Sequence, residues 1–518
     1  ALEKDGLITH RDFGGTAKWR ACYAAAGTGH SALYAIDSEV VRLGISVRDR
    51  AEAVALIHDG TRCVGAVVRD LRDGSYFAVM AKATVIATGG YGRIYGQFTS
   101  NATINEGTGA SIALDTGIVP LGNMEAVQFH PTTVVPAGIL VTEGCRGDGG
   151  YLLDKDMKRF MVEAEPVKQE LASRDVVSRH MVQRIRDGYG VDSPYGPHLW
   201  LDIRHLGEEH LRTKLLEVWD ICRDFVGINP AEELIPVRPT QHYSMGGVRV
   251  NKDGQAYGLA GLFAVGEAAC WDMHGFNRLG GNSLSETIVT GRIVGGRVAE
   301  FVAGTALRAD TGIAFDALAA AEDKAAEWLA RSGDGPSVYD IRDAMGETMM
   351  HKVGIFRTGE ELGEAVAEIG QLLEDCDKAV LRCKDPGVNP ELAFALRLKG
   401  MLRLAMTVAK GAQARTESRG AHFRTDFPIR NDRDWLNRTL VRWGVDDEEP
   451  TFSYEPTGII DLPPGHRGYG SDERVEMSDT LEQHNASVLE EQTRHGRLAS
   501  TEEMGSRLDR GAWKALSG

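Results

Sequence analysis

Cysteine is sparse in this chain. Seven are scattered over 518 residues, and no two form a Cys-x-x-Cys pair. That excludes a zinc ribbon and argues against a disulfide framework, so reduced thiols are expected. No iron–sulfur ligation pattern occurs. No apolar run approaches the ~20 residues that span a bilayer. Positive charge is also short: 58 Lys and Arg against 74 Asp and Glu, for a net charge of −16. That balance excludes an extended nucleic-acid surface. It leaves an acidic substrate open, because a site needs only local arginines and histidines. Internal repeats and low-complexity tracts are absent. Ala1–His10 carries neither an initiator methionine nor a signal peptide, so an upstream segment holding any targeting information is expected.

What is present is ordinary in bulk, with 42% hydrophobic and 25% charged residues. The length calls for about three domains. The most informative stretch is Asp272–Glu286, DMHGFNRLGGNSLSE. It sets Arg278 before a glycine pair and a helix start at Asn282-Ser283-Leu284. A helix N-terminus offers free N–H groups to electron-rich atoms, and an arginine is a planar fork for a carboxylate. Upstream, Gly261–Glu267 (GLFAVGE) reads as a buried strand ending in glycine and an acid that can accept from a sugar hydroxyl. One segment thus offers a ring-cofactor site and a carboxylate site together.

Along the chain, Ile45–Val47, Ala53–Ile57, Cys63–Arg69 and Tyr76–Ala81 read as short strands, with turns at Asp59-Gly60 and Asp73-Gly74. Ala83–Gly90 (ATVIATGG) reads as a buried strand stopped where backbone must approach something closely, making Thr88, Gly89 and Gly90 cofactor candidates. Gly107–Thr116 reads as a helix. Residues 125–240 are mixed, and strand–glycine–helix texture returns over 241–300, as for a domain inserted into another. Residues 301–430 turn helical, with apolar spacing over Phe315–Leu329 and Glu360–Leu373. Residues 431–518 read as an extended segment.

Several signals deflate. GTGHSA at Gly27–Ala32 matches half of a dinucleotide fingerprint, but no buried strand precedes it, so it reads as a loop entering a helix. HLGEEH at His205–His210 spaces its histidines five apart, unlike a helical zinc pair, and reads as a solvated helix start. Asp446–Glu449 is a solvated turn. No metal site is assigned. Other motifs persuade only as a set: His130 in QFHPT, fixed in extended geometry by its proline; Thr142-Glu143-Gly144-Cys145-Arg146; Arg174 in SRD; and His242 in QHYSMGG. A dicarboxylic acid needs two anion clamps. Arg278 with His242 serves one carboxylate, and His130 with Thr142 the other. A carboxylate twisted out of plane makes an adjacent double bond electrophilic. Arg174 can then deliver a proton, if Glu143 and Arg146 relay one to it.

HPTTVVPAGILVTEGCRGDGG, ELASRDVVSR, PTQHYSMGGVRV, GLFAVGEAACWDMHGFNRLGGNSLSE and RTESRGAHFRTDFPIRNDRDWLNRT resemble the flavoprotein subunit of quinol:fumarate reductase and succinate dehydrogenase, over essentially the whole chain. The CWDMHGFNR version resembles the menaquinol:fumarate reductase branch most. The resemblance implies an α/β FAD-binding (Rossmann-like) domain (1–124 and 241–300) split by an α+β capping domain (125–240). A helical domain (301–430) and a C-terminal segment (431–518) follow. It implies substrate binding at His130, Thr142, His242 and Arg278, and proton shuttling by Arg174 with Glu143 and Arg146. It implies FAD contacts at Glu267, Ser283 and Leu284, beside Asn282 at the helix start and Glu106 where many relatives carry aspartate. The family's phosphate loop and its FAD-linking histidine fall upstream of Ala1. An iron–sulfur subunit and a haem-bearing membrane anchor are implied as partners. They would hold the chain on the cytoplasmic side of the inner membrane, with Arg415–Trp435 a candidate for part of the partner-facing surface. L-aspartate oxidase, which shares many of these motifs, is the alternative. A non-catalytic scaffold is a third reading, and the completeness of the site set argues against it.

Overall fold

The computed structural model describes residues 27–308 and 311–457, with a few short stretches outside them. Helix α1 (Thr28–Arg42) follows Gly27, and no strand longer than two residues precedes it among the described residues. β1 (Ala51–His58), β2 (Cys63–Asp70) and β3 (Tyr76–Met80) form an antiparallel meander. Gly60 and Gly74 hold positive φ in its two turns, as the Asp-Gly pairs predict. Ile45–Val47 is not a strand. Ile45 and Val47 are exposed, and the Ile45 N–H donates to the Val40 carbonyl at the end of α1 and not to a strand; a β-branched run needs a neighbouring strand for its hydrogen bonds.

β4 (Thr84–Ile86) is shorter than ATVIATGG suggests, and Val85 is exposed. Among the described residues its one partner is the parallel segment Leu262–Ala264. α2 (Thr108–Leu114) is buried along its length, and β5 (Leu121–Gly122) leads out of this region. Between β6 (Val127–Val134) and β9 (Ile235–Ser244) lie β7 (Tyr151–Leu153), α3 (Arg174–Arg184) and β8 (Leu199–Asp202). These strands form one sheet in the order β6-β9-β8-β7. They enclose a hydrophobic cluster of their own, from Val134 to Val237, that shares no residue with the main core.

After β10 (Gly247–Arg249), β11 (Leu262–Ala264) and β12 (Ala269–Cys270), the long helix α4 spans Asn282–Ala303. The helical part comprises α5 (Gly312–Ala330), α6 (Val338–Lys352), α7 (Gly359–Lys378) and α8 (Pro390–Ala414). Ser337, Thr358 and Asn389 cap the last three through their side chains, each satisfying a first-turn N–H. Leu398, Leu402, Ala405 and Ala409 of α8 enter the main core, one apolar stripe at helical spacing. β13 (Asn437–Arg442) and β14 (Thr451–Pro456) then complete the sheet β12-β10-β5-β13-β14. The C-terminal segment thus returns to the first domain. Beyond residue 457 the extended-segment expectation lies almost wholly outside the described residues. In Arg415–Trp435 most charged side chains turn inward, with Arg415, Glu417 and His422 fully buried.

Candidate active site

Strand β6 is buried at every position, and its pleat puts Gln128, His130 and Thr132 on one face. The Thr132 N–H donates to His130 Nδ1 at 3.2 Å. The neutral ring therefore carries its proton on Nε2, which has no partner among the described residues. Burial, with the charge of Arg174 behind it, holds His130 well below the usual histidine range. His242 lies where the β6–β9 register shifts between Gln241 and Tyr243. A bulge there releases it from the ladder and re-aims its ring. The ring stands edge-on to His130, with centroids 5.1 Å apart, and its Nδ1 meets Ser100 Oγ at 2.8 Å. Burial and the nearby Arg174 and Arg278 hold His242 neutral too.

Arg174 is the first residue of α3. Its Nε and Nη2 donate to Glu143 Oε2 at 3.1 and 2.9 Å. Its Nη1 donates to Gln128 Oε1 at 3.2 Å, and Arg278 Nη2 reaches the same oxygen at 3.1 Å. Arg146 Nη2 lies 3.4 Å from the other Glu143 oxygen. Burial pushes the Glu143 carboxyl up, but Arg174 and Arg146 outweigh it and leave it lowered. Arg278 is pushed down to about 9, chiefly by burial and then by the charge of Arg174. Its Nε has no partner among the described residues. Thr142 and Ser100 line an adjoining cavity of about 410 Å³. His130, Thr142, Glu143, Arg146, Arg174, His242 and Arg278 thus gather at one place, drawn from β6, β9, the start of α3 and two loops.

A second feature adjoins them. β4 and β11 run parallel and end in Gly89-Gly90 and Gly266-Glu267. The carboxyl ends of parallel strands are where open α/β sheets take ligands. Glu267 Oε1 accepts the Ser244 N–H at 2.9 Å, and a Cβ on Gly90 would sit 2.4 Å from that oxygen. Burial raises the Glu267 carboxyl to about 7. Helix α4 starts after Gly281, at φ 79, with no side-chain cap. The Ser283 and Leu284 amides of its first turn are left to donate outward. Uncapped donors, a buried acceptor and glycine edges suit a dinucleotide cofactor. Thr88 is exposed beside them. Glu106 stands apart, paired with Arg397, which it shares with Glu52.

The "FAD binding domain" family model matches residues 2–284, and "Fumarate reductase flavoprotein C-term" matches residues 342–469. The chain is 46% identical over 520 residues to the fumarate reductase flavoprotein subunit of Helicobacter pylori, covering 94% of this chain and 72% of that one. It is 39% identical over 480 residues to the fumarate reductase flavoprotein subunit of Mycobacterium tuberculosis, covering 90% of this chain and 82% of the relative. The chain belongs to the fumarate reductase and succinate dehydrogenase flavoprotein family. The quinol fumarate reductase of E. coli superposes with a TM-score of 0.86 at 34% identity, over 91% of this chain and 82% of that one. The protein is therefore an FAD-dependent oxidoreductase, with an α/β FAD-binding domain and a helical domain behind it.

Reading the flavoprotein's sequence did not single out Gln128, Ser100, Asn277 or Tyr243. Gln128 Nε2 donates to Asn277 Oδ1 at 2.7 Å and to the Arg278 carbonyl at 2.6 Å, so it orients the clamp from beneath. The signal for Gln128 was available: two residues before His130, it must share that histidine's face. Ser100 is over a hundred residues from His242, and nothing local announces it.

Proposed function

We propose that this flavoprotein interconverts fumarate and succinate as the catalytic subunit of a membrane-bound quinol:fumarate reductase of the menaquinol branch. The observation that carries the reading is the buried chain Gln128–Arg174–Glu143–Arg146, which ends among His130, His242 and Arg278. Arg278 with His242, and His130 with Thr142, take the two carboxylates. The Nε2–H of neutral His130 and the Nε–H of Arg278 supply unpartnered donors. Thr88, Gly89, Gly90, Glu267, Asn282, Ser283 and Leu284 would hold FAD, which when bound would supply a hydride to one carbon of the double bond, whereas Glu106 is committed to Arg397. Arg174 gives a proton to the neighbouring carbon and regains one from Arg146 through Glu143. A proton on arginine at neutral pH is normally held fast, so the dryness of the site is part of the mechanism. Hydride plus proton converts fumarate to succinate with no atom left over.

An iron–sulfur subunit and a haem-bearing cytochrome b anchor supply electrons and the membrane tie, on the cytoplasmic side of the inner membrane. In support, no helix among the described residues is long and apolar enough to cross a membrane.

The test is fumarate-dependent oxidation of reduced viologen by the flavin-loaded enzyme, with and without Arg174→Ala. Turnover lost in the variant, with an intact flavin spectrum, supports the reading; turnover that survives sinks the assignment of Arg174. No fumarate turnover, with hydrogen peroxide formed from L-aspartate, would move the protein to the oxidases.

A further inference from the structure

Behind Arg278 lies a layer that the chemistry above does not use. The Arg278 guanidinium carbon stands 4.6 Å from the centroid of the Tyr243 ring. The Tyr243 hydroxyl donates to Glu286 Oε2 at 2.5 Å. His274 Nε2 meets the same oxygen at 2.8 Å, and its ring stands edge-on to Tyr243 with centroids 5.5 Å apart. All three side chains are buried, that of Glu286 to 2% and that of His274 to 7% exposure. Among the described residues Arg278 is otherwise held through its edge, with Nη1 on the Leu279 carbonyl at 3.0 Å and Nη2 on Gln128. Those bonds leave the guanidinium free to tilt about the line joining its two terminal nitrogens. The ring face removes that freedom.

We propose that Tyr243 is a positioning residue for the dicarboxylate clamp, its ring setting the plane of the Arg278 guanidinium while Glu286 and His274 lock the ring. The inference rests on Arg278 being a carboxylate clamp. A planar fork matches a carboxylate only in the right plane. A desolvated cation over an aromatic face is attracted by the negative face of the ring, and that attraction holds the plane. Tyr243 follows His242 on β9, so one strand carries the second clamp histidine and the rest for the clamp arginine. Glu286 sits one turn into α4, the helix whose first turn faces the cofactor side. The Tyr243–Glu286 bond therefore ties the plane of the clamp to the element that places the flavin. A misaligned clamp weakens substrate capture first, because Arg174 and its relay lie on the other side of Gln128.

The test uses the flavin-loaded enzyme, with fumarate reduction by reduced viologen measured over a range of fumarate concentrations. Tyr243→Leu is expected to raise KM for fumarate about tenfold or more, the equivalent of ~1.4 kcal/mol. Its kcat should stay within about threefold, at the same flavin content per chain. Tyr243→Phe keeps the face and loses only the anchor, and should fall between Leu and the parent. Glu286→Gln keeps an acceptor for the hydroxyl and should restore KM to near the parent value. An unchanged KM in Tyr243→Leu at full flavin content overturns the proposal. So does a loss of kcat in step with flavin or thermal stability, which marks mere packing. Should Tyr243→Leu fail to fold, an unchanged KM in Tyr243→Phe overturns it alone. Failure of the fumarate assignment itself shows differently, as a parent enzyme without fumarate turnover.

Discussion

Arg174 and Arg278 donate to one and the same oxygen, Gln128 Oε1, at 3.2 and 3.1 Å. Two guanidinium groups that would otherwise repel are bridged by one neutral acceptor, which sets the distance between the proposed proton donor and the proposed carboxylate clamp. Gln128→Leu keeps the bulk and removes the acceptor, leaving two buried donors unsatisfied at about 1–3 kcal/mol each. We expect kcat/KM for fumarate to fall about 100-fold, with KM and kcat both affected because both arginines shift. Steady-state kinetics on flavin-loaded protein decides this. A change confined to KM would mean that Gln128 serves the clamp alone.

Glu143 is the hinge of the proposed relay, with one oxygen toward Arg174 and the other toward Arg146. Glu143→Gln retains its size and removes its charge. An amide cannot shuttle a proton between two arginines, so kcat should drop about 10²–10⁴-fold. KM should change little. Dicarboxylate binding followed through the flavin spectrum separates the two effects, and a variant that turns over at the parent rate removes Glu143 from the relay.

Three histidines, His130 and His422 fully buried and His242 partly so, give the fold a pH dependence of known sign. Burial holds His130, His242 and His422 well below the usual range, and the nearby arginines push the same way. His422 accepts from Arg357 Nη1 through Nδ1 at 2.7 Å and faces the Arg415 carbonyl with Nε2, a neutral tautomer that a second proton would break. Unfolded, each takes a proton near pH ~6.5; folded, none does until well below that. Stability from these groups is therefore complete above about pH 6.5 and is lost as pH falls, at about 1.4 kcal/mol per pH unit for each histidine. Denaturant midpoints from pH 8 to 5 measure it. His422→Gln should make the acid limb shallower, and an unaltered slope would show that this histidine is protonated in the fold.

How far the residues announced this arrangement depends on whether a pattern is local. The meander, α2, the capped helices and the glycine-ended strands follow from spacing and turn chemistry within short windows. Arg278 stands out because its motif is dense, whereas His130 and Arg174 persuade only as members of a set. By contrast, Ile45–Val47 carries a strand's residue types and is none, because pairing depends on a neighbour that composition does not reveal. The His242 bulge, the Ser100 contact and the Gln128 bridge arise from register between strands far apart in the chain. The inward turn of Arg415–Trp435 was equally hidden, since a charged run reads as surface until its partners are known.

Glu267 should give a pH dependence of opposite sign. Burial raises its carboxyl to about 7, whereas in an unfolded chain it ionises near ~4.3. The fold binds the proton more tightly, so the contribution is full below about pH 4.3 and is lost as pH rises toward 7, flat beyond. Glu267→Gln mimics the protonated form and should raise stability at pH 8 relative to the parent while leaving pH 4 nearly unchanged. Equal effects at both pH values would show that Glu267 is ionised throughout.

A fully buried ion pair lies away from the chemistry and holds the C-terminal segment in place. Arg415 Nε donates to Glu125 Oε1 at 2.8 Å, with both side chains at 0% exposure. The same arginine reaches Glu417, the Asn437 carbonyl and Thr439 Oγ1, and Thr439 Oγ1 donates to Glu125 at 2.6 Å. Glu125 sits two residues before β6, so this one contact links the end of α8 and the start of β13 to the strand that carries Gln128 and His130. A buried pair broken on one side costs about 3–5 kcal/mol, because the remaining charge stays desolvated. Because Arg415 keeps Glu417 as a buried counter-ion, Glu125→Ala is expected to lower stability by less than that and to loosen His130, raising KM for fumarate as well. Glu125→Gln, which keeps an acceptor, should cost less. A double-mutant cycle with Arg415→Met separates the pair from the penalty of an orphaned charge. If the double variant is more stable than either single one, the energy lies in the mutual neutralisation of the two groups, and the pair serves to fix where the segment docks more than to add stability.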